Sequence, residues 1–147
     1  MATHEQLQDR AIDGFWETVP PLWSTVRSHI RTAAMGKFDI TVEQFHVLRH
    51  VRRGIGSVSE LAAVKNISRP AISQAVEVLV NKGMLTRLQN VQDRRYVELT
   101  LTEAGNSLLD VVYEETCGWM KERMKALTAD ELKTISRAME ALAKMLV

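Results

Sequence analysis

Cysteine is almost missing: Cys117 is the one thiol in 147 residues. That excludes an internal disulfide framework and any cysteine-based zinc finger. Three prolines and seven glycines are too few for long flexible linkers. Aromatic residues make up only 5% of the chain. No apolar run approaches the ~20 residues a membrane-spanning helix needs, so no membrane partner is expected. The polar stretch Met1–Arg10 lacks the apolar centre of a signal peptide, and a cytoplasmic location is the expectation. Enzyme signatures are missing as well. There is no Gly-rich phosphate loop, no nucleophile elbow, no His-Glu-x-x-His and no cluster of carboxylates. All four histidines precede residue 51, far along the chain from Cys117. Neither an enzyme nor a cofactor-binding protein is expected, and no metal site.

What is present is an ordinary globular composition, 46% hydrophobic and 25% charged, of a size for one domain, residues 1–147, with one sizeable core. The formal net charge of +1 hides a segregation. Residues 1–48 carry 4 Lys/Arg against 6 Asp/Glu, residues 49–95 carry 9 against 3, and residues 96–147 carry 6 against 9. A basic middle between acidic ends suits a polyanion-binding module held in a non-binding frame, although chance segregation of surface charge would look the same.

Hydrophobic periodicity supplies the elements. Leu7, Ala11, Ile12, Phe15, Trp16 and Val19 recur at helical spacing, as do Leu22, Trp23, Val26, Ile30, Ala33 and Ala34. Pro20 and Pro21 between them predict a kink or restart, and Gly36–Ile40 reads as a connection. Thr41-Val42-Glu43-Gln44 and Ser57-Val58-Ser59-Glu60 are capping boxes. The first opens a helix through Phe45, Leu48 and Val51 that Gly54 and Gly56 stop; the second opens a short helix with Leu61 and Val64 inward, ending at Asn66. Ser68 caps a third helix with Pro70 in its first turn. Ile72, Ala75, Val76, Leu79 and Val80 form its apolar face; Arg69, Pro70, Ser73, Gln74 and Glu77 form the opposite one. Two short strands, Met84–Gln89 and Tyr96–Leu101, flank a polar tip containing Asp93-Arg94-Arg95. Thr102 caps a long helix through Leu108, Leu109, Val112, Trp119, Met120 and Met124. A last helix, with Thr128 as its cap, presents Ile135, Met139, Leu142 and Met145.

The expected fold is mainly α with a small β-hairpin wing. It is a winged helix-turn-helix unit, residues 41–101, with N- and C-terminal helical segments, 1–36 and 102–147. In that arrangement the third helix offers Ser68, Arg69, Pro70, Ser73 and Gln74 to the major groove, where Gln pairs with adenine and Arg with guanine. Arg94 and Arg95 reach phosphate or minor groove. Ser68 serves equally as a plain helix cap. Arg52 and Arg53 are further phosphate candidates, or an exposed helix end. His46 and His50, at i and i+4, lack the companions of a metal site. Cys117, among Thr116, Trp119 and Met120, reads as a buried inert thiol.

The run Ile67-Ser68-Arg69-Pro70-Ala71-Ile72-Ser73-Gln74-Ala75-Val76, continuing through Leu79 and Lys82-Gly83-Met84-Leu85, resembles the recognition helix of the MarR family of bacterial transcription regulators. Asp93-Arg94-Arg95, then Val97, Leu99-Thr100-Leu101-Thr102 and Gly105, resembles that family's wing and its exit into the next helix. The resemblance extends over nearly the whole chain. It implies a homodimer joined through the terminal helices, double-stranded DNA as partner and a pseudo-palindromic operator. It implies repression relieved by a small-molecule effector, with Trp23, Arg27, Met35 and Phe45 as a candidate pocket. Asp93 matches the wing acid, expected to orient an arginine. A winged-helix protein-interaction module without DNA binding is the alternative, weighed against by Arg94, Arg95 and the basic centre.

Overall fold

A computed structural model describes residues 1–146. Its order is α1 (His4–Phe38), α2 (Val42–Arg52), α3 (Val58–Lys65), α4 (Arg69–Asn81), β1 (Leu85–Gln89), β2 (Val97–Leu101), α5 (Glu103–Met124) and α6 (Ala129–Ala143), closed by a 3-10 turn at Lys144–Leu146. The fold is mainly α with one antiparallel hairpin, as expected.

Local chemistry places the helix starts. Thr3, Thr41 and Thr128 each accept the N3 amide while the N3 side chain returns to the cap backbone. Ser57 and Ser68 accept from Glu60 and Ala71. Left-handed residues end four helices: Asp39 (φ 53°) after α1, Gly54 (φ 96°) just beyond α2, Asn66 (φ 52°) after α3 and Gly83 (φ 73°) just beyond α4.

Two expectations for α1 need correction. The helix does not restart at Pro20 and Pro21 but continues through them as one element. Each ring withholds one donor but holds φ near the helical value, and the turns on both sides supply the remaining bonds. Thr25 Oγ1 also donates to the Pro21 carbonyl at 3.1 Å. The helix then runs to Phe38 rather than ending at Gly36, because Asp39 adopts the left-handed turn and caps it.

The chain falls into two compact units, Met1–Thr116 and the residues from Cys117 onward, divided within α5. In the first, a single core joins Ile30, Ala33 and Ala34 of α1 to Phe45, Val47, Leu48 and Val51 of α2, Leu61 and Ala62 of α3, Ile72, Val76 and Leu79 of α4, Leu85 and Leu99 of the hairpin, and Leu108, Leu109 and Val112 of α5. Val64 is a correction: it is 55% exposed, and Ala62 is buried in its place. Eight residues make barely two turns, so the period does not fix which flank of α3 faces inward. The second unit holds the end of α5 and all of α6, whose residues are none of them buried. Cys117 is half-buried, not enclosed, because it lies where the core along α5 runs out.

The hairpin pairs Leu85 with Leu101, Arg87 with Leu99 and Gln89 with Val97. Its base is clamped to α5. Thr102 donates its amide to the Met84 carbonyl (3.1 Å) and its hydroxyl to the Gly83 carbonyl (2.6 Å), and accepts from the Gly105 amide. A Cβ at Gly105 would stand 2.3 Å from the Met84 carbonyl oxygen, which explains a glycine there.

Candidate nucleic-acid interface

The third helix of the expected unit is α4, and its burial divides as its sequence does. Ile72, Val76 and Leu79 are buried, while Ser68, Arg69, Pro70, Ser73, Gln74 and Glu77 are exposed. Three polar ties hold this helix, each to a different element. At its start, the Arg69 guanidinium donates to the Ser59 hydroxyl of α3. In its middle, Glu77 pairs with Arg87 of β1 at 2.8 Å. At its end, Lys82 bonds the carbonyl and carboxylate of Asp39. Arg69, though exposed, thus has a partner within the chain, whereas Ser73 and Gln74 make no side-chain hydrogen bond among the described residues.

The Glu77–Arg87 pair sets the hairpin beside the polar face of α4. Beyond Arg87 every residue as far as Tyr96 is exposed. The tip is shaped by local bonds: Asn90 Oδ1 accepts the Gln92 amide (2.9 Å), and Gln89 Nε2 donates to the Arg94 carbonyl (2.8 Å). Asp93 Oδ1 accepts the Arg95 amide at 3.0 Å, while the Asp93 carbonyl accepts the Tyr96 amide. Asp93 thus fixes the backbone that carries Arg95 rather than its guanidinium. Neither the Arg94 nor the Arg95 side chain forms an ion pair among the described residues. Arg52 differs: it is paired with Asp110 of α5 at 2.7 Å.

Of the candidate effector residues, Phe45 is buried, Trp23 and Met35 are exposed, and Arg27 pairs with Glu43 of α2 at 2.9 Å. Glu43 also takes Lys65 of α3 at 3.2 Å. Burial by itself would raise the Glu43 carboxyl, but Lys65 and Arg27 outweigh it and hold the group below its ordinary range. The Arg27 Nε is buried without a partner. An open cavity of about 340 Å³ lies elsewhere, lined by Val51, Arg52, Gly54, Gly56, Glu98, Leu99, Thr100, Leu101 and Asn106; none of the four residues lines it. His46 stands edge-on to Phe45, ring centroids 5.7 Å apart. Its burial, with Lys65 adding repulsion, pushes its pKa down to about 4. His50 moves down for the same two causes.

Sequence reasoning missed the ties Arg69–Ser59, Glu77–Arg87 and Lys82–Asp39. The one available signal was Glu77 itself, an acid on an otherwise uncharged or basic face.

Residues 38–95 match the MarR family. The multiple antibiotic resistance protein MarR of Salmonella typhimurium is 31% identical over 103 residues, spanning 69% of this chain and 72% of that one. An HTH-type transcriptional regulator of Bacillus subtilis, YpoP, is 29% identical over 98 residues, spanning 66% and 70%. The crystal structure of apo MarR from E. coli superposes with a TM-score of 0.74 at 26% identity, covering 86% of this chain and 93% of that one. With the winged unit, its basic hairpin tip and these relatives in agreement, the chain belongs to the MarR family of transcriptional regulators.

Proposed function

We propose that this protein is a sequence-specific regulator that binds double-stranded DNA as a homodimer, represses from a pseudo-palindromic operator and is released by a small molecule. The observation that carries the reading is the exposed Ser73–Gln74 face of α4 standing beside a hairpin whose tip holds two uncompensated arginines. The helix reads base edges in the major groove through Ser73 and Gln74, with Arg69 and Pro70 at its rim and Ser68 capping its start. Arg94 and Arg95 contact the backbone or the minor groove, on a tip that Asp93 shapes. Residues 41–101 form the DNA-binding unit.

The frame, residues 1–36 and 102–147, joins two copies. Leu7, Ile12 and Trp16 of α1 are each at least 54% exposed, as is Met139 of α6, and Leu132, two turns earlier on α6, is exposed as well. Apolar faces of this extent, on the N-terminal part of α1 and on an α6 that buries nothing, are natural two-fold interfaces. Two recognition helices then stand about 34 Å apart, one turn of duplex. For the effector, the support is the Arg27 Nε left buried without a partner on a side chain that pairs with Glu43. Trp23 and Met35 on α1 complete the set. No helix among the described residues is long and apolar enough to cross a membrane; the proposed DNA partner supports a cytoplasmic location.

Titration of random duplex at rising salt tests the reading. A DNA binder of this kind loses affinity linearly in log–log form, with a slope of about −0.9 per phosphate neutralised. Salt-independent or undetectable binding would return the chain to the protein-interaction class. Selection of bound fragments from random DNA then yields the operator and its half-site spacing.

A further inference from the structure

Glu77 is out of place on a surface meant for DNA. It lies one helical turn after Ser73 and three residues after Gln74, on the same exposed face of α4. A bare carboxylate there repels phosphate. Arg87 answers it at 2.8 Å.

Arg87 projects from the face of the hairpin that also carries Leu85, Leu99 and Leu101, since it pairs directly with Leu99 in the register. Leu85 and Leu99 are buried. Its side chain therefore leaves the hairpin toward the body of the protein, not from the outer face with Thr86 and Leu88. The rung Arg87–Leu99 is held from both flanks. On one side the Leu99 amide donates to the Gly56 carbonyl at 2.7 Å; on the other Arg87 reaches Glu77. Every hairpin residue from Leu88 to Tyr96 is exposed and Val97 is only partly buried, so this rung is the last with a fully buried side chain before the tip. The link from α4 into β1 is short and turns on Gly83, in the left-handed region at φ 73°. The link is tied down at the hairpin base, where the Met84 amide donates to the Leu79 carbonyl and Thr102 bonds the Gly83 and Met84 carbonyls, so Arg87 acts on the part of the hairpin beyond that clamp.

We propose that Glu77 and Arg87 are positioning residues that set the distance between recognition helix and wing, and that the pair governs sequence discrimination without itself touching DNA. This rests on the DNA-binding reading above. The pair tunes how well Ser73 and Gln74 sit on bases while Arg95 sits on its phosphate. A tip that swings freely still binds any duplex, but no longer holds the helix in register with one sequence.

The test uses the full chain and a double-mutant cycle of Glu77→Gln and Arg87→Met. Partly exposed ion pairs add little to stability, so all three variants are expected to melt near the wild type. The probes are random duplex and the duplex that the wild type selects from random DNA, each titrated at several salt concentrations. Affinity for random duplex should rise slightly with Glu77→Gln and fall slightly with Arg87→Met, as charge alone dictates. The ratio of selected to random affinity should fall in both, by roughly 3- to 10-fold. The double variant should lose no more than either single variant, because each acts through the other. Additive losses, an unchanged ratio, or a salt slope reduced by about 0.9 in Arg87→Met would overturn the proposal; the last would make Arg87 a phosphate contact. Failure of the wild type to bind duplex in a salt-dependent way would instead overturn the DNA-binding reading, a separate result.

Discussion

Arg95 and Gln74 are both exposed polar side chains, yet the proposed function gives them different work, and their substitutions should separate. Arg95 stands on a tip that Asp93 fixes through the 3.0 Å bond to its amide, and its guanidinium has no internal partner among the described residues. Arg95→Ala should weaken binding to every duplex by a similar factor and make the salt slope shallower by about 0.9. Gln74→Ala should leave that slope alone and relax base preference at one position of each half-site, by about 1–3 kcal/mol. Gel-shift titration of selected and random duplex reads both; an Arg95→Ala variant of unchanged affinity would remove the wing from the interface. His46 makes a prediction of another kind. Its burial and the nearby Lys65 lower its pKa from 6.5 to about 4, against the opposing pull of Glu43; Arg49 and Arg27 add smaller repulsion. Between those two values the unfolded chain binds the proton and the folded one does not, so stability falls as pH drops from 6.5 toward 4. The contribution present at neutral pH is about 1–2 kcal/mol once solvent screening is allowed for, and it is gone below about pH 4. His50 shifts in the same direction and adds to the slope. Denaturant unfolding of His46→Gln across this range should show a flatter dependence; an equally steep one would mean that other groups carry the acid sensitivity.

The docking of α5 on the hairpin depends on a glycine at the element scale. The amide of Gly105 is donated to Thr102 Oγ1 at 3.1 Å, and any side chain would collide with the Met84 carbonyl. That carbonyl cannot move cheaply, since it already accepts the Thr102 amide. Gly105→Ala should cost about 2–3 kcal/mol through forced backbone shift, and lower the melting temperature by roughly 5–10 °C in a calorimetric scan. Asn106→Ala, next to it and exposed, should change little. These elements also show what could be read from the chain beforehand. Helix starts were legible because capping is settled within four residues: Ser68 and Thr41 accept the amides their spacing promises. The core face of α4 was legible because thirteen residues give several turns of period. Val64 was not, on a helix of eight. The continuity of α1 through Pro20 and Pro21 was not either, since it depends on turns well outside the dipeptide. The polar face of α4 and the basic tip were visible as composition. The ties through Ser59, Arg87 and Asp39 join residues 10 to 43 positions apart, and no local pattern encodes them.

At the scale of the whole molecule the terminal helices pose the question of what covers them. In α1 the buried residues are confined to Ile30, Ala33 and Ala34, with Val26 partly buried against the same core, so the twenty-odd residues before Val26 form helix without a core. In α6 nothing is buried, although the helix is strongly two-faced, with Leu132, Ile135, Met139 and Leu142 along one side. Long helices with bare apolar faces are costly in water and gain stability when a second copy covers them. The wild type should therefore sediment at twice 16.6 kDa at micromolar concentration, with a melting temperature that rises with concentration. Met139→Asp places a charge on the α6 face and should shift the sedimenting mass toward one chain. Its affinity for a duplex bearing two half-sites should fall roughly 100-fold, because the second recognition helix no longer binds intramolecularly. Affinity for a single half-site should stay within about twofold, since α4 and the wing are untouched. A wild type that sediments as one chain both free and on the two-half-site duplex would rule out the paired arrangement. Loss of half-site binding in Met139→Asp would show instead that α6 supports the winged unit within one chain.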